Sequence, residues 1–442
     1  MTIDLSATQL GPTWGVSERE AGAALAKRLF VQLEEETRDS PGVTRTAFGE
    51  GERRAYAIIE EAGSALGLEQ ASDAAGNLFL KLPGLDRSKT ILIGSHLDSV
   101  PHGGNYDGAA GVILGLAVQA TFRAADRQPP IDLCTICLRA EESCWFPHSY
   151  IGSKTALGVL DPAVLEEARR TDTGNSLGDH MRMEGFDPEA VRRGASLIDQ
   201  RQTVAYIEPH IEQGDVLLAN DVPLGVVTGI RGSFRYREAC CVGVYAHSGA
   251  TPRDLRRDAV LATADLIMRT DRLWTDLLAE GHDVVITFGM LNTDHAQHSF
   301  SKVAGKTSFC VDVRSQSTAT LSLVEAEFLR LSEAVAQDRG VRFALGARSG
   351  SMPAQMSPVL AGLLRGALRR SGLQQIDLAS GAGHDAATFA LAGIPTAMLF
   401  IRNRNGSHNP QEEMDFGDFV SALTAMTELM RTPAKSWPRN TL

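Results

Sequence analysis

The feature that most constrains the fold is an alternation of strand, helix and strand in which all three segments are apolar. KTILIGSHLDSV is a short apolar run that ends in a Gly- and polar-rich loop and reads as a buried strand. GAAGVILGLAVQATFRAA reads as a helix, and IDLCTICLRAEES as a second strand. An apolar crossover between two buried strands predicts a mostly parallel, helix-covered sheet. Upstream, AGAALAKRLFVQLEEET and ERRAYAIIEEAGSALGL carry apolar residues at spacings of three and four, the pattern of amphipathic helices, and NLFLKLPG reads as a further strand.

The pattern changes near residue 222. PLGVVTGIRGSFRYREACCVGVYAHSGATP has strand character, and RRDAVLATADLIMRTDRLWTDLLAE is a long helix. HDVVITFGML and GKTSFCVDVRS are strands, TLSLVEAEFLRLSEAVAQDRG is a second helix, and VRFALGARSGSMPAQ is the last strand of the group. Two helices with about four strands make an α+β unit of their own. Helix–strand alternation then resumes, and IPTAMLFIR is a buried strand. The fold class is therefore α/β: a catalytic domain over residues 1–225 and 346–442, interrupted by an inserted α+β dimerisation or lid domain over residues 226–345.

Composition limits the partners. The 442 residues are enough for a sizeable core. With 43 Lys and Arg against 54 Asp and Glu, the net charge is −11, which argues against nucleic acid or an anionic membrane as the main partner. A small anionic substrate stays open, because one local Arg can hold a carboxylate. No stretch approaches 18 apolar residues, so no spanning helix is expected. MTIDLSATQLGPTWG lacks a basic start followed by an apolar run, so no signal peptide is expected. Of six cysteines, Cys134 and Cys137 form a CxxC inside a strand, with no second pair at zinc-finger spacing. They read as core thiols, consistent with a cytoplasmic protein.

Histidines and acids collect where apolar segments end. In GSHLDSVPHGGNYDG, His96 and Asp98 are two apart at a strand end, so period-2 geometry puts both on one face. Asp98 is placed to hold the free ring nitrogen of a ligating His96. Asp107 follows in a Gly-rich loop. In RAEES, Glu141 and Glu142 follow a buried strand, where adjacent acids are costly unless something positive sits there. Hydrolysis at two metal ions explains the pair: one carboxylate ligates, the other takes a proton from water. YIEPHIEQGDVL sets His210 among carboxylates beside Gln213, GAGHDA contributes His384 and Asp385, and NGSHNPQE gives His408 and Glu412.

Taken in order, GSHLDSVPHGGNYDGAAG, EES, HIEQG, AHSGATP, DVR, GAGHDA and SHNPQE resemble the N-carbamoyl-L-amino-acid hydrolase and allantoate amidohydrolase group of the aminoacylase and carboxypeptidase-G-like metallohydrolases. The resemblance spans about residues 17–430, and HIEQG is its most specific motif. It implies that His96, Asp107 and His210 bind one divalent ion and that Asp107, Glu142 and His408 bind a second, with Asp107 bridging. It implies Glu141 as general base and Asp98 as support for His96. His247 resembles the group that polarises the scissile carbonyl, often in the partner subunit's site. Gln213 and His384 are implied at the substrate, and Arg314 resembles the clamp for a substrate carboxylate. An all N and O ligand set suits Zn²⁺, Mn²⁺, Co²⁺ or Ni²⁺.

One departure bears on substrate. The family often has an Asn-rich segment before DxR; here residues 297–305 read QHSFSKVAG, and Ser301 stands where the substrate-binding Asn is expected. His295 and His298 lie close by, and Arg231 sits at the junction with the inserted domain, each open to a surface or a substrate role. The expected activity is hydrolysis of a linear amide or ureido C–N bond in a small carboxylate-bearing acid by a homodimer. An aminoacylase or dipeptidase-like hydrolase is the alternative among enzymes. A non-catalytic, metal-dependent ligand binder is the alternative outside them.

Overall fold

The structure is a computed structural model and describes residues 14–438. Residues 1–13, most of the stretch read for a leader, lie outside the described ones. The chain forms two compact units, Met1–Thr228 with Met356–Leu442, and Gly229–Gln355.

In the first unit the strand Asp86–His96 lies between Ile131–Leu138 and Thr203–Ile211, parallel to both. Thr396–Ile401 runs parallel on the far side of Thr203–Ile211. Antiparallel strands flank these four: Leu78–Leu82 and then Glu69–Ser72 at one side, Leu224–Ile230 at the other. The crossover helix Ala109–Ala124 is buried at every residue from Ala109 to Phe122. It packs on the sheet and beneath the helices Val16–Glu36 and Phe416–Leu429, which is why its sequence is apolar all round. Ile93, Ile113, Leu133, Ile207 and Leu399 lie in this core. Cys134 and Cys137 are buried, free thiols of the Ile131–Leu138 strand, and burial pushes the Cys134 thiol up to about 12.

The parallel register sets the site. His96 is level with Leu138, and His210 with Phe400, so these strands end along one edge of the sheet. Loops leaving the carboxyl ends of parallel strands meet there. Among the described residues no helix is long and apolar enough to cross a membrane.

The second unit is an antiparallel sheet covered by the helices Ala259–Ala279 and Thr318–Arg339. Its strands run in the order Leu291–Thr293, Lys306–Ser315, Gly232–Val242, Arg342–Ala344. Val285–Thr287 also pairs with Lys306–Ser315, and Arg348–Ser351 with Gly232–Val242. Leu266, Phe234, Val313 and Phe328 fill its core. The segment read as one last strand is three short ones, Arg342–Ala344, Arg348–Ser351 and Ala354–Gln355, the first two separated at Gly346, whose φ of +76° suits a turn. The first two pair with the long strand Gly232–Val242, and the compact unit spans Gly229–Gln355. Arg231 is held in this unit. Its Nε donates to Asp283 at 2.9 Å and its Nη2 at 2.5 Å, and Asp283 also accepts the Gln316 amide at 2.8 Å.

Candidate metal centre

His96 is the last residue of its strand, and the chain then turns through residues 97–108 to bring Asp107 back over the strand end. Gly108 permits this return: its φ is +66°, and a Cβ there would lie 2.5 Å from the His96 ring. The RAEES segment is fixed from behind. Arg139 is buried against Glu52 at 2.5 Å, donates to the Gly76 carbonyl at 2.8 Å and lies 3.6 Å over the Tyr56 ring. Asp98 completes the hold, accepting the Glu141 amide at 3.0 Å and the Glu142 amide at 3.1 Å. The His96 Nδ1 is 3.0 Å from the Asp98 backbone carbonyl and 3.5 Å from its carboxylate, which chiefly caps the two glutamates.

Asp107 is the centre of the arrangement. Its Oδ1 lies 3.2 Å from His210 Nε2 and 3.8 Å from His96 Nε2. Its Oδ2 lies 3.3 Å from His408 Nε2, which is also 3.3 Å from Glu142 Oε1. The ligand atoms of His96, Asp107 and His210 are within 4.8 Å of one another, and so are those of Asp107, Glu142 and His408. Glu141 Oε2 reaches to 4.0 Å from His96 Nε2.

These residues fit divalent cations. His210 Nδ1 is 2.9 Å from the Ile211 carbonyl, so in the neutral ring that nitrogen carries the hydrogen and Nε2 keeps the lone pair a cation needs. That lone pair points at the Asp107 carboxylate, and both His210 Nε2 and Asp107 Oδ1 are buried without a hydrogen-bond partner. Two acceptors facing each other in a dry site call for a positive charge between them. The surroundings are strongly anionic: Asp98, Asp107, Glu141, Glu142, Glu208, Asp385 and Glu412 are all buried. Burial disfavours charge on His96, yet Asp98, Glu141 and Asp107 hold it well above the usual histidine range. His408, bonded to Asp107 and Glu142, is raised to about 11. Burial, reinforced by Glu142 and Asp385 and opposed by His96, pushes Glu141 well above the ordinary carboxylate range.

Other predicted residues have defined surroundings. Gln213, at φ +64°, donates from Nε2 to Asp107 Oδ2 at 2.9 Å, and its Oε1 is buried without a partner. His384 is 2% exposed, packs edge-on 4.4 Å from the His210 ring, and has Nε2 3.0 Å from Ser380 Oγ. Burial and the neighbouring His210 hold it well below its usual range, so it is a neutral ring.

His247, Arg314 and Ser301 belong to the second unit. The exposed His247 accepts the Gly249 and Ala250 amides on Nδ1 at 3.2 and 3.1 Å. Its hydrogen is therefore on Nε2, which makes it a donor. The Ser301 carbonyl accepts the Ser248 amide at 2.9 Å, beside that loop. Arg314 is paired with Asp312 at 2.8 Å. His295 and His298 are exposed with rings 4.9 Å apart, and His298 Nδ1 is 2.8 Å from Thr293 Oγ1.

Sequence reading passed over three residues. Glu208 accepts from Ser95 Oγ at 2.7 Å and from the Ala386 amide at 2.6 Å, behind both histidines. Its signal was present: it stands two before His210 on a fully buried strand, hence on the same face. Arg45, fully buried, donates from Nε to the Leu97 carbonyl at 2.6 Å and from Nη1 to Asn105 at 3.2 Å. Ser407 lies 2.6 Å from Asp107 Oδ2. Nothing in the local sequence marks the last two.

Residues 92–432 match the family described as Peptidase family M20/M25/M40. The chain is 33% identical to an N-carbamoyl-L-amino acid amidohydrolase of Geobacillus stearothermophilus over 397 residues, covering 88% of this chain and 93% of that one. It is 29% identical to an allantoate amidohydrolase of Escherichia coli K12, covering 88% and 92%. A hydantoinase/carbamoylase family amidase from Burkholderia multivorans matches with a TM-score of 0.84 at 27% identity, covering 92% and 98%. The chain belongs to the M20/M25/M40 peptidase family and, within it, to the group of N-carbamoyl-amino-acid and allantoate amidohydrolases.

Proposed function

We propose that this chain hydrolyses a linear ureido or amide C–N bond in a small carboxylate-bearing acid, with N-carbamoyl-L-amino acids or a related ureido acid as substrate. The observation that carries the reading is the placing of Asp107, one oxygen facing His96 and His210, the other facing His408 and Glu142. These five side chains would hold two divalent ions, Zn²⁺, Mn²⁺, Co²⁺ or Ni²⁺, which when bound supply Lewis acidity and make water acidic enough to be deprotonated near neutrality. Glu141 takes the proton from the attacking water and passes it to the leaving nitrogen. A raised affinity for protons suits that task, and the Asp98 cap keeps its backbone in place. His247, with its hydrogen on Nε2, is the donor for the oxyanion, and Arg314 is the clamp for the substrate carboxylate.

The test is a substrate panel on metal-loaded protein. N-carbamoyl-L-amino acids and allantoate should be turned over with release of ammonia, at least ~10-fold faster in kcat/KM than N-acetyl amino acids or dipeptides, a difference within reach of one rejected or missing polar contact. A preference for N-acyl substrates would favour the aminoacylase reading. Tight binding without turnover under every metal would favour the binding protein.

The working unit is a cytoplasmic homodimer built on the second unit, with His247 acting across the interface. That unit has its own sheet and core, so its faces are available for a two-fold contact. Inactive Glu141→Gln chains mixed with inactive His247→Ala chains under subunit exchange should regain activity, because each heterodimer holds one site with both residues intact. Recovery should approach about half of wild type per heterodimer. Proven heterodimers without recovery would place His247 in its own chain's site or outside catalysis.

A further inference from the structure

Two buried charged side chains, Arg45 and Glu412, are among the groups that tie the loop carrying Asp107. Arg45 spans the loop from Leu97 at its start to Asn105 near its end. The later part is held by Glu412, which is more than 300 residues away in sequence and 8% exposed. Glu412 Oε1 accepts the Tyr106 amide at 2.9 Å and the Asp107 amide at 3.2 Å. Its Oε2 lies 2.6 Å from Ser407 Oγ, and the same hydroxyl lies 2.6 Å from Asp107 Oδ2. Glu412 therefore fixes Asp107 twice, directly through the main chain and through Ser407 at the carboxylate. Room for it is made by Gly104, where a Cβ would fall 2.2 Å from the Glu412 carboxyl group.

We propose that Glu412 is the positioning residue that sets the orientation of Asp107, so that its two oxygens face the two halves of the metal centre. The inference rests on the reading of Asp107 as a shared ligand. Asp107 sits in a glycine-flanked loop, and its backbone alone leaves χ1 and χ2 free. Both oxygens must be aimed in different directions at once, and the bonds on Oδ2 from Ser407, itself held by Glu412, and from Gln213 remove that freedom. A hydroxyl has one hydrogen, so Ser407 cannot donate to both carboxyl groups. Its hydrogen serves one carboxylate while its oxygen stays 2.6 Å from the other, so Ser407 links Glu412 to the Asp107 carboxylate. A Gln amide at position 412 keeps an oxygen to accept the two N–H groups and sets an NH₂ against Ser407, whose hydrogen is then free for Asp107, so Gln preserves the device. Ala removes it.

The experiment is calorimetric titration of chelator-treated protein with Mn²⁺ and with Zn²⁺, beside thermal melting of the metal-free forms. Glu412→Ala should weaken binding of at least one ion by ~10–100-fold, the range for loss of an outer-shell partner, and Glu412→Gln should bind within a few-fold of wild type. Ser407→Ala, which deletes one oxygen, should show part of the Glu412→Ala loss and serves where Glu412→Ala does not fold. A purely structural Glu412 would lower the melting temperature of the metal-free protein and leave both affinities unchanged; that result overturns the proposal. So does a Glu412→Gln protein as weak as Glu412→Ala, or an unchanged affinity in Ser407→Ala. Wild-type protein that binds no ion would instead overturn the two-metal reading itself, which separates the two failures.

Discussion

Protein stripped of divalent ions by a chelator is expected to lose all measurable turnover, and to regain it when Mn²⁺, Co²⁺, Ni²⁺ or Zn²⁺ is added back. Elemental analysis of protein purified without chelator should find up to two ions per chain. The reason is the charge balance at the strand ends. Seven buried carboxylates surround His96, His210 and His408, with Arg45 the buried cation beside them. Without ions the histidines are driven to hold protons, and a protonated His210 or His408 offers no lone pair to a metal. Adding an ion should therefore release protons as well as restore activity. It should also raise the melting temperature, since a ligand at a hundred times its Kd stabilises by about 2.7 kcal/mol. Full activity in metal-free protein would overturn the mechanism.

Much of this centre is legible in the sequence because parallel strands share an edge. His96, the Glu141–Glu142 pair, His210 and His408 each follow an apolar run. Once the runs are parallel and in register, their ends must meet. What the sequence hides is direction. Asp98 stands at the right distance along the strand to serve His96, yet the turn after His96 presents its backbone carbonyl to the ring and sends the carboxylate to the glutamate amides. Gln213 follows His210 in a motif that suggests a substrate contact. Its Nε2 donates to Asp107, and its Oε1 is buried without a partner. Glu208 is marked only by its place two before His210, because a strand buried at every position shows no alternation of its own. Arg45 and Glu412 act over separations that no local pattern encodes.

The same loss of alternation hides a strand of the second unit. Arg348–Ser351 is exposed at all four positions, so nothing in its side chains announces a strand, and only pairing with Gly232–Val242 makes it one. The long helices Ala259–Ala279 and Thr318–Arg339, by contrast, bury residues at spacings of three and four and are readable as such.

Glu141 and Glu142 should separate in a way their adjacency does not suggest. Glu141→Gln should keep its metal and its substrate affinity while kcat falls by at least the ~10²–10⁴-fold attributed to general acid–base catalysis. Glu142→Gln should lose occupancy of one ion. The geometry gives the reason. Glu142 Oε1 is 3.3 Å from His408 Nε2, and that nitrogen is equally close to Asp107, so Glu142 shares a ligand set. Glu141 belongs to no such set; its nearest partner among these groups is His96 Nε2 at 4.0 Å. The same Asp98 carboxylate caps both amides, so neither substitution disturbs the backbone and the two variants differ only in the side chain removed. Metal content by elemental analysis and kcat measured at saturating metal distinguish the outcomes. If Glu141→Gln lost an ion and Glu142→Gln kept both, the two residues would exchange roles, and water would be activated from the His408 side of Asp107 rather than the His96 side.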